Sequence, residues 1–318
     1  MQPARRAVID IGTNSVKLLV ADVAGADVRP VFENSIQTRL GKNFYETRQL
    51  QPGAIQKTAA AVAEFASIAR EQGAGPVRII ATSAARDAKN SGELTAAVTR
   101  AAGLPVEIIS GEQEADWAFR GVASDPELAH QPLLLLDVGG GSTEFIIGQG
   151  SRVDFRHSFP IGSVRLFEKF PAADQPSPAC LAACLTWVET FLKEEIRKKI
   201  SAELRREIRA DSLHRHARLV GTGGMATIFA RMEAVTDGYE RAQLEAVRLS
   251  FARVQWHLEN LWRCSLADRK KITGLPPDRA DIALTGAVIY AAVMAEFGFT
   301  ELRVSLRGLR FAALMNCS

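Results

Sequence analysis

Two stretches of this sequence share one grammar. "AVIDIGTNSVKLL" at residues 7–19 and "LLLLDVGGGSTEF" at 133–145 each read as an apolar strand that ends on a carboxylate and opens into a glycine turn. Laid on one another, Asp10 meets Asp137, Gly12 meets Gly139, Ser15 meets Ser142 and Lys17 meets Glu144. A strand running into such a turn leaves backbone N–H groups able to converge on an anion, and glycine lacks the Cβ that would hold a phosphate at a distance. The candidate phosphate-binding residues are Gly12, Thr13, Asn14 and Ser15 in the first turn and Gly139, Gly140, Gly141, Ser142 and Thr143 in the second. A third turn, "GTGG", adds Gly221, Thr222, Gly223 and Gly224. One glycine turn is most often a plain hairpin; three, two of them after a strand ending in Asp, favour phosphate.

The charged residues beside these turns extend the reading. An unpaired carboxylate at the end of an apolar strand is costly unless a cation or hydrogen bonds receive it, so Asp10 and Asp137 are candidate ligands for Mg²⁺ or Mn²⁺. The other reading of each Asp is a side chain that bonds the N–H groups of its own turn. Lys17 stands where the second copy has Glu144, so one side brings a cation to phosphate oxygens while the other orients metal or water. Arg86, in "ATSAARDA", follows a strand and turn at a helix start and is a further candidate phosphate contact. The nucleotide signatures G-x-x-x-x-G-K-[ST] and, at the first strand, G-x-G-x-x-G are absent.

The elements that must position these residues follow from the apolar pattern. Strands are expected at 5–10, 15–23 and 27–34, a helix over 53–72 behind Pro52, and then alternating strands and helices to about residue 122. After the polar stretch "ASDPELAHQP" the meander recurs, with strands at 133–137, 144–148 and 152–159. Trp187, Phe191, Ile196, Ile200, Leu204 and Ile208 fall on one face of a long helix. Lys193, Arg197, Lys198, Lys199, Arg205 and Arg206 alternate with glutamates, which reads as a solvated face. "ARLVGTGGMATIFARM" is strand, turn and helix, "DIALTGAVIYAAVMAEFG" is a buried helix ending at Gly298, "ELRVS" is a strand and "RGLRFAALMN" a last helix. This is an α/β chain with a duplicated fold.

Composition sets the outer limits. At 318 residues two domains are expected. With 47% hydrophobic and 24% charged residues the chain is an ordinary globular one, and a net charge of +3 argues for no nucleic-acid partner. No apolar run reaches the roughly 20 residues needed to span a bilayer, and the strand that follows "MQPARR" leaves no room for a signal sequence, so a cytoplasmic protein with no membrane partner is expected. Cys180, Cys184, Cys264 and Cys317 make no C-x-x-C pair, and Cys180 and Cys184 read as small apolar side chains one helical turn apart. His214 and His216 flank Arg215 in a polar loop.

Taken in order, "VIDIGTNSVKLLV", "ATSAARDA", "VEIISGEQEADWAFRGV", "LLLLDVGGGSTEFIIG", "GSVRLFEKF", "LVGTGGMATI" and "LRGLRFAALM" resemble the exopolyphosphatase and guanosine pentaphosphate phosphohydrolase family, within the superfamily of sugar kinases, heat-shock chaperones and actin. The resemblance spans almost the whole chain and looks like the short, two-domain form. It implies two ribonuclease-H-like domains around a cleft, 1–120 completed by 301–318, and 121–300. It implies Mg²⁺-assisted removal of terminal phosphate from inorganic polyphosphate or guanosine pentaphosphate, and homodimers. Its S-G-x-x-E-A motif falls on Ser110 to Ala115 and points to Glu114 as the base that activates water, with Asp137 and Glu144 matching its metal and water-positioning carboxylates. Two departures stand out. Gln113 replaces a frequent Glu, with Glu112 one step earlier on a helix where residues 112 and 114 point about 200° apart. Leu306 and Phe311 stand where polar residues are often found. An actin-like ATPase or kinase, and a sensor of guanosine tetra- or pentaphosphate, are the competing readings.

Overall fold

A computed structural model of the chain describes residues 3–171, 173–203 and 213–316. It divides into two compact units, Met1–Ser124 with Gly308–Ser318, and Asp125–Arg307. The first passage between them falls at the start of the polar stretch 123–132.

The first unit is built on a five-stranded sheet of order β3-β2-β1-β4-β5, in which β1 (Ala4–Ile11), β2 (Ser15–Ala24) and β3 (Asp27–Gln37) form an antiparallel meander. β4 (Val77–Ala81) and β5 (Val106–Ile108) add in parallel. β1 is buried on both faces, which is why it reads as a continuous apolar run rather than an alternating one. Ala7, Ile9 and Ile11 pack with the helices Pro52–Glu71 and Ser91–Ala102. Val8 packs on the other side with Leu19, Trp117 and the C-terminal helix Leu309–Met315. Asp10, next but one after Val8, therefore points to the side of the C-terminal helix.

The second unit repeats the plan. Its six-stranded sheet has the order β10-β11-β9-β6-β7-β8, with β6 (Pro132–Val138), β7 (Thr143–Gln149) and β8 (Arg152–Phe159) as the meander. β9 (Arg218–Thr222) lies parallel to β6, β10 (Arg248–Ser250) forms one edge, and β11 (Glu301–Val304) lies parallel to β9. The strand "ELRV" thus belongs to the second sheet, so the part of the C-terminus that joins the first unit begins at Gly308, not near residue 301. The apolar helix Ala283–Phe297 is buried nearly all round and ends at Gly298, whose φ of 73° is the left-handed cap conformation that glycine adopts most readily. No helix of the described residues is long and apolar enough to cross a membrane.

The long charged helix departs from expectation. It runs as α-helix over Pro178–Phe191, widens to a π-helix over Leu192–Arg197 and returns to α-helix over Lys198–Glu203. The buried stripe is Cys184, Val188, Leu192, Ile196 and Ile200, one residue in every four. A period of four drifts backward on a 3.6-residue turn, and the wider π turn brings the stripe back onto one face. Trp187 and Phe191 are only partly buried and stack on each other with centroids 5.3 Å apart. Lys193 and Lys198 are exposed as expected, whereas Arg197 is held by Glu296 at 2.6 Å. Leu204, Arg205, Arg206 and Ile208, the side chains of His214 and His216, and Cys317 lie outside the described residues. Cys184 is buried, which pushes its thiol up to about 12, so it serves as a small apolar side chain.

One close approach in the first unit has a measurable consequence. A Cβ at Gly121 would lie 2.0 Å from the carbonyl oxygen of Gly308, where the helix Gly111–Ala123 meets the start of the C-terminal helix. Gly121→Ala forces backbone apart and is expected to cost roughly 1–3 kcal/mol or more of stability; urea unfolding of the purified protein measures it.

Candidate active site

Both glycine turns are made in the same way. Gly12 donates its N–H to the Ser15 carbonyl at 2.9 Å, and Gly139 donates to the Ser142 carbonyl at 3.0 Å. The turn carbonyls are then occupied by the segment that follows the third strand of each meander. In the first unit Thr38 and Arg39 donate to the Asn14 carbonyl at 3.1 and 2.9 Å, and Gly41 to the Thr13 carbonyl at 2.7 Å. In the second, Ser163 donates to Gly139 at 2.9 Å, Val164 to Gly140 at 2.8 Å and the Arg165 guanidinium to Gly141 at 2.8 Å. Fixing the carbonyls outward leaves N–H groups as the groups a turn can offer an anion. Gly41 and Gly162 are required by contact, since their Cβ atoms would come within 2.3 Å of Thr13 Cγ2 and 2.6 Å of the Gly140 carbonyl. These clasping segments were not anticipated from the sequence; their signal was a glycine shortly after the third strand of both copies.

Lys17 and Glu144 acquire their meaning from strand register. Asp10 lies directly opposite Lys17 in the β1–β2 pair, and Asp137 directly opposite Glu144 in the β6–β7 pair. Directly opposed side chains share one face of a sheet, so the first unit sets a carboxylate against a cation and the second sets two carboxylates together. Asp10 is 7% exposed and its Oδ1 accepts no hydrogen bond. Burial pushes its carboxyl up, against the pull of Lys17 and of Arg310 on the C-terminal helix, which favour the charged form. Glu144 is 1% exposed and accepts a hydrogen bond from Ser158 Oγ at 2.7 Å. Asp137 is half-buried beneath the third glycine turn, and a Cβ at Gly223 (φ 81°) would fall 2.1 Å from Asp137 Oδ1. Burial, and then the charge of Asp137, push the Tyr290 hydroxyl well above its ordinary range.

The opposed Asp137 and Glu144 suit a divalent cation, because like charges placed opposite one another are otherwise destabilising. Their donors are hard oxygens, and among the described residues no group of three or more His, Cys, Asp or Glu side chains gathers into a full cage. Few protein carboxylates, with water and substrate oxygens completing the shell, is the way Mg²⁺ is usually held.

Glu114 sits in the first turn of the helix Gly111–Ala123, whose N-terminus is capped by the Ser110 hydroxyl accepting from Gln113 N–H at 3.1 Å. It is 8% exposed, while Glu112 is exposed. Arg86, on the short helix Ser83–Asp87 after β4, reaches it with an Nη1 to Oε2 distance of 2.8 Å and donates to the Ile109 carbonyl at 3.2 Å. The two residues singled out for a base and a phosphate contact are thus partners.

Other candidates have structural duties. Thr143 is fully buried and its hydroxyl donates to the Ile161 carbonyl at 2.6 Å, and the Thr222 hydroxyl donates to the Arg307 carbonyl at 2.5 Å. Gly221 is the last but one residue of β9, while Gly223 and Gly224 open the helix Gly223–Glu233, with Gly223 close against Asp137. Phe311 and Leu306 are buried core residues.

Residues 19–316 match the model of the Ppx/GppA phosphatase family. The chain belongs to that family. It is 31% identical over 318 residues, 96% of each chain, to Exopolyphosphatase 2 of Mycobacterium tuberculosis. The crystal structure of the Aquifex aeolicus Ppx/GppA family member is similar with a TM-score of 0.77 and 29% identity over 98% of this chain and 97% of that one. An exopolyphosphatase from Cytophaga hutchinsonii shares the fold, with a TM-score of 0.85 at 24% identity over 98% and 96%. The fold is therefore the two-domain, actin-like α/β architecture of Ppx/GppA proteins, and membership makes the protein a phosphatase.

Proposed function

We propose that the protein is an exopolyphosphatase that hydrolyses the terminal phosphate of inorganic polyphosphate. The observation that carries the reading is Glu114, a buried carboxylate at a helix N-terminus in ion-pair contact with Arg86. The substrate class is supported by the full-length likeness to a mycobacterial exopolyphosphatase.

In this proposal Glu114 accepts a proton from water as the water oxygen attacks the outermost phosphorus. The bond from that phosphorus to its bridging oxygen breaks, orthophosphate departs, and the shortened chain keeps the electron pair on its new terminal oxygen. Arg86 fixes the Glu114 carboxylate and is the guanidinium assigned to the phosphoryl oxygens. In the first unit the N–H groups of residues 12–15 and Lys17, and in the second unit the N–H groups of residues 139–142 and 223–224, are the donors assigned to phosphate oxygens. Asp137 and Glu144 are the residues that would hold Mg²⁺ or Mn²⁺, which would supply charge neutralisation at the transferred phosphoryl group. Asp10 is assigned to hold solvent or metal at the first turn, where its Oδ1 lacks a donor. A cytoplasmic homodimer is the proposed working state.

The test is orthophosphate release from long-chain polyphosphate, guanosine pentaphosphate and ATP measured side by side with Mg²⁺. The expected result is fastest release per unit enzyme from polyphosphate. Release from the pentaphosphate alone would replace this reading with that of a guanosine pentaphosphate phosphohydrolase, and turnover of ATP alone would favour an actin-like ATPase.

A further inference from the structure

Segment 38–48, which clasps the first glycine turn, is built more tightly than a connection requires. Arg39, Asn43 and Arg48 have φ angles of 53°, 56° and 57°, the left-handed region that side chains other than glycine seldom occupy. Backbone hydrogen bonds impose them: Thr38, Arg39 and Gly41 bind the turn, Lys42 donates to the Arg39 carbonyl at 3.0 Å, and Arg48 donates to the Phe44 carbonyl at 2.7 Å. Leu40, Phe44 and Leu50 anchor the segment in the core of the first unit. The Thr38 hydroxyl, 2% exposed where segment and turn meet, has no hydrogen-bond partner.

What this frame presents to solvent is positive charge. Lys42 follows Gly41, which touches Thr13. The Arg48 carbonyl accepts from the N–H of Lys89 at 3.0 Å, and Lys89 lies just after the helix that carries Arg86. Lys42, Arg48 and Lys89 are exposed, and none forms an ion pair among the described residues. The exposed Glu46 is the single carboxylate within residues 38–48. The three cations therefore sit on a fixed backbone that ties the first glycine turn at one end to the segment of Arg86 at the other. An exposed lysine on a flexible loop is usually just solvated; here the backbone that carries the cations is held, so less backbone freedom is lost when they meet a second anion.

We infer that Lys42, Arg48 and Lys89 form an extended anion subsite for the phosphates that follow the terminal one in a linear polyphosphate, which makes them determinants of chain selectivity. This rests on the function proposed above. A nucleotide, with its phosphates ending at a sugar, would engage the subsite less than a long inorganic chain.

The experiment uses the full-length protein and the variants Lys42→Ala, Arg48→Asn and Lys89→Ala, singly and combined; Asn is chosen because it tolerates positive φ. Equilibrium binding and steady-state release are measured with long-chain polyphosphate and with tripolyphosphate across a salt series. The triple variant should raise KM and Kd for the long chain by about tenfold or more, with the salt dependence flattened, while kcat on tripolyphosphate is retained. Release by the parent with unchanged KM and salt dependence in the triple variant would overturn the subsite and leave the proposed function standing. Binding that the triple variant loses, in a parent that releases no phosphate, would remove the proposed function and retain the subsite. Absence of polyphosphate binding by the parent would remove both.

Discussion

Glu114→Gln is expected to reduce phosphate release by about 10²–10⁴-fold while leaving polyphosphate binding close to that of the parent. The amide keeps the shape of the side chain, but it cannot take a proton from water. Glu112→Gln, two residues earlier and exposed, is the matched control and should retain parental rate. The measurement is orthophosphate release paired with equilibrium binding of the same polyphosphate. A Glu114→Gln protein that turns over at the parental rate would falsify the assignment of the base. Equal losses in binding and turnover would instead make Glu114 a residue that holds Arg86 in place, since its carboxylate receives the guanidinium at 2.8 Å.

The second large effect concerns the opposed carboxylates. Excess chelator should stop turnover, and Mg²⁺ should restore it. Asp137→Asn and Glu144→Gln should each raise the Mg²⁺ concentration needed for half-maximal rate by about 10-fold or more, because each removes one of the two carboxylates proposed to hold the ion. Two unit charges 4 Å apart repel by about 4 kcal/mol at an effective dielectric of 20, so removing one should also leave the fold as stable as the parent, or more stable, when metal is absent. Thermal unfolding with and without Mg²⁺ reads this separately from activity: the parent should gain more from the ion than either variant. Undiminished release in chelator, or identical metal stabilisation in all three proteins, would count against Asp137 and Glu144 as ligands. Lys17 frames the contrast, since it occupies the Glu144 position in the first unit and already answers the charge of Asp10.

The clasps explain why the duplicated turns do not depend on glycine alone. In the first unit the turn is Gly-Thr-Asn-Ser, with a single glycine, yet its Gly12-to-Ser15 bond matches the Gly139-to-Ser142 bond of its Gly-Gly-Gly-Ser counterpart. In both units a glycine of the neighbouring segment makes room for the turn, Gly41 at the Thr13 methyl group and Gly162 at the Gly140 carbonyl.

Much of this was legible in the amino-acid order because it depends on neighbours in the chain. A buried strand between turn signals, an Asp at its end, glycines at the turn and a second copy of the whole arrangement are local patterns, and they located both meanders, the three turns and the helix that carries Glu114. The partnership of Arg86 with Glu114 joins residues 28 apart, and that of Asp10 with Arg310 joins opposite ends of the chain; such pairs exist only once strands are in register and helices are packed. The same holds for the clasping segments and for the π turn at Leu192–Arg197, whose four-residue stripe looked like ordinary helix until the core it must face was in place. Chain-local chemistry determined which residues could meet a phosphate, and tertiary packing decided which of them hold one another, because hydrogen bonds and ion pairs between distant residues depend on distance in space.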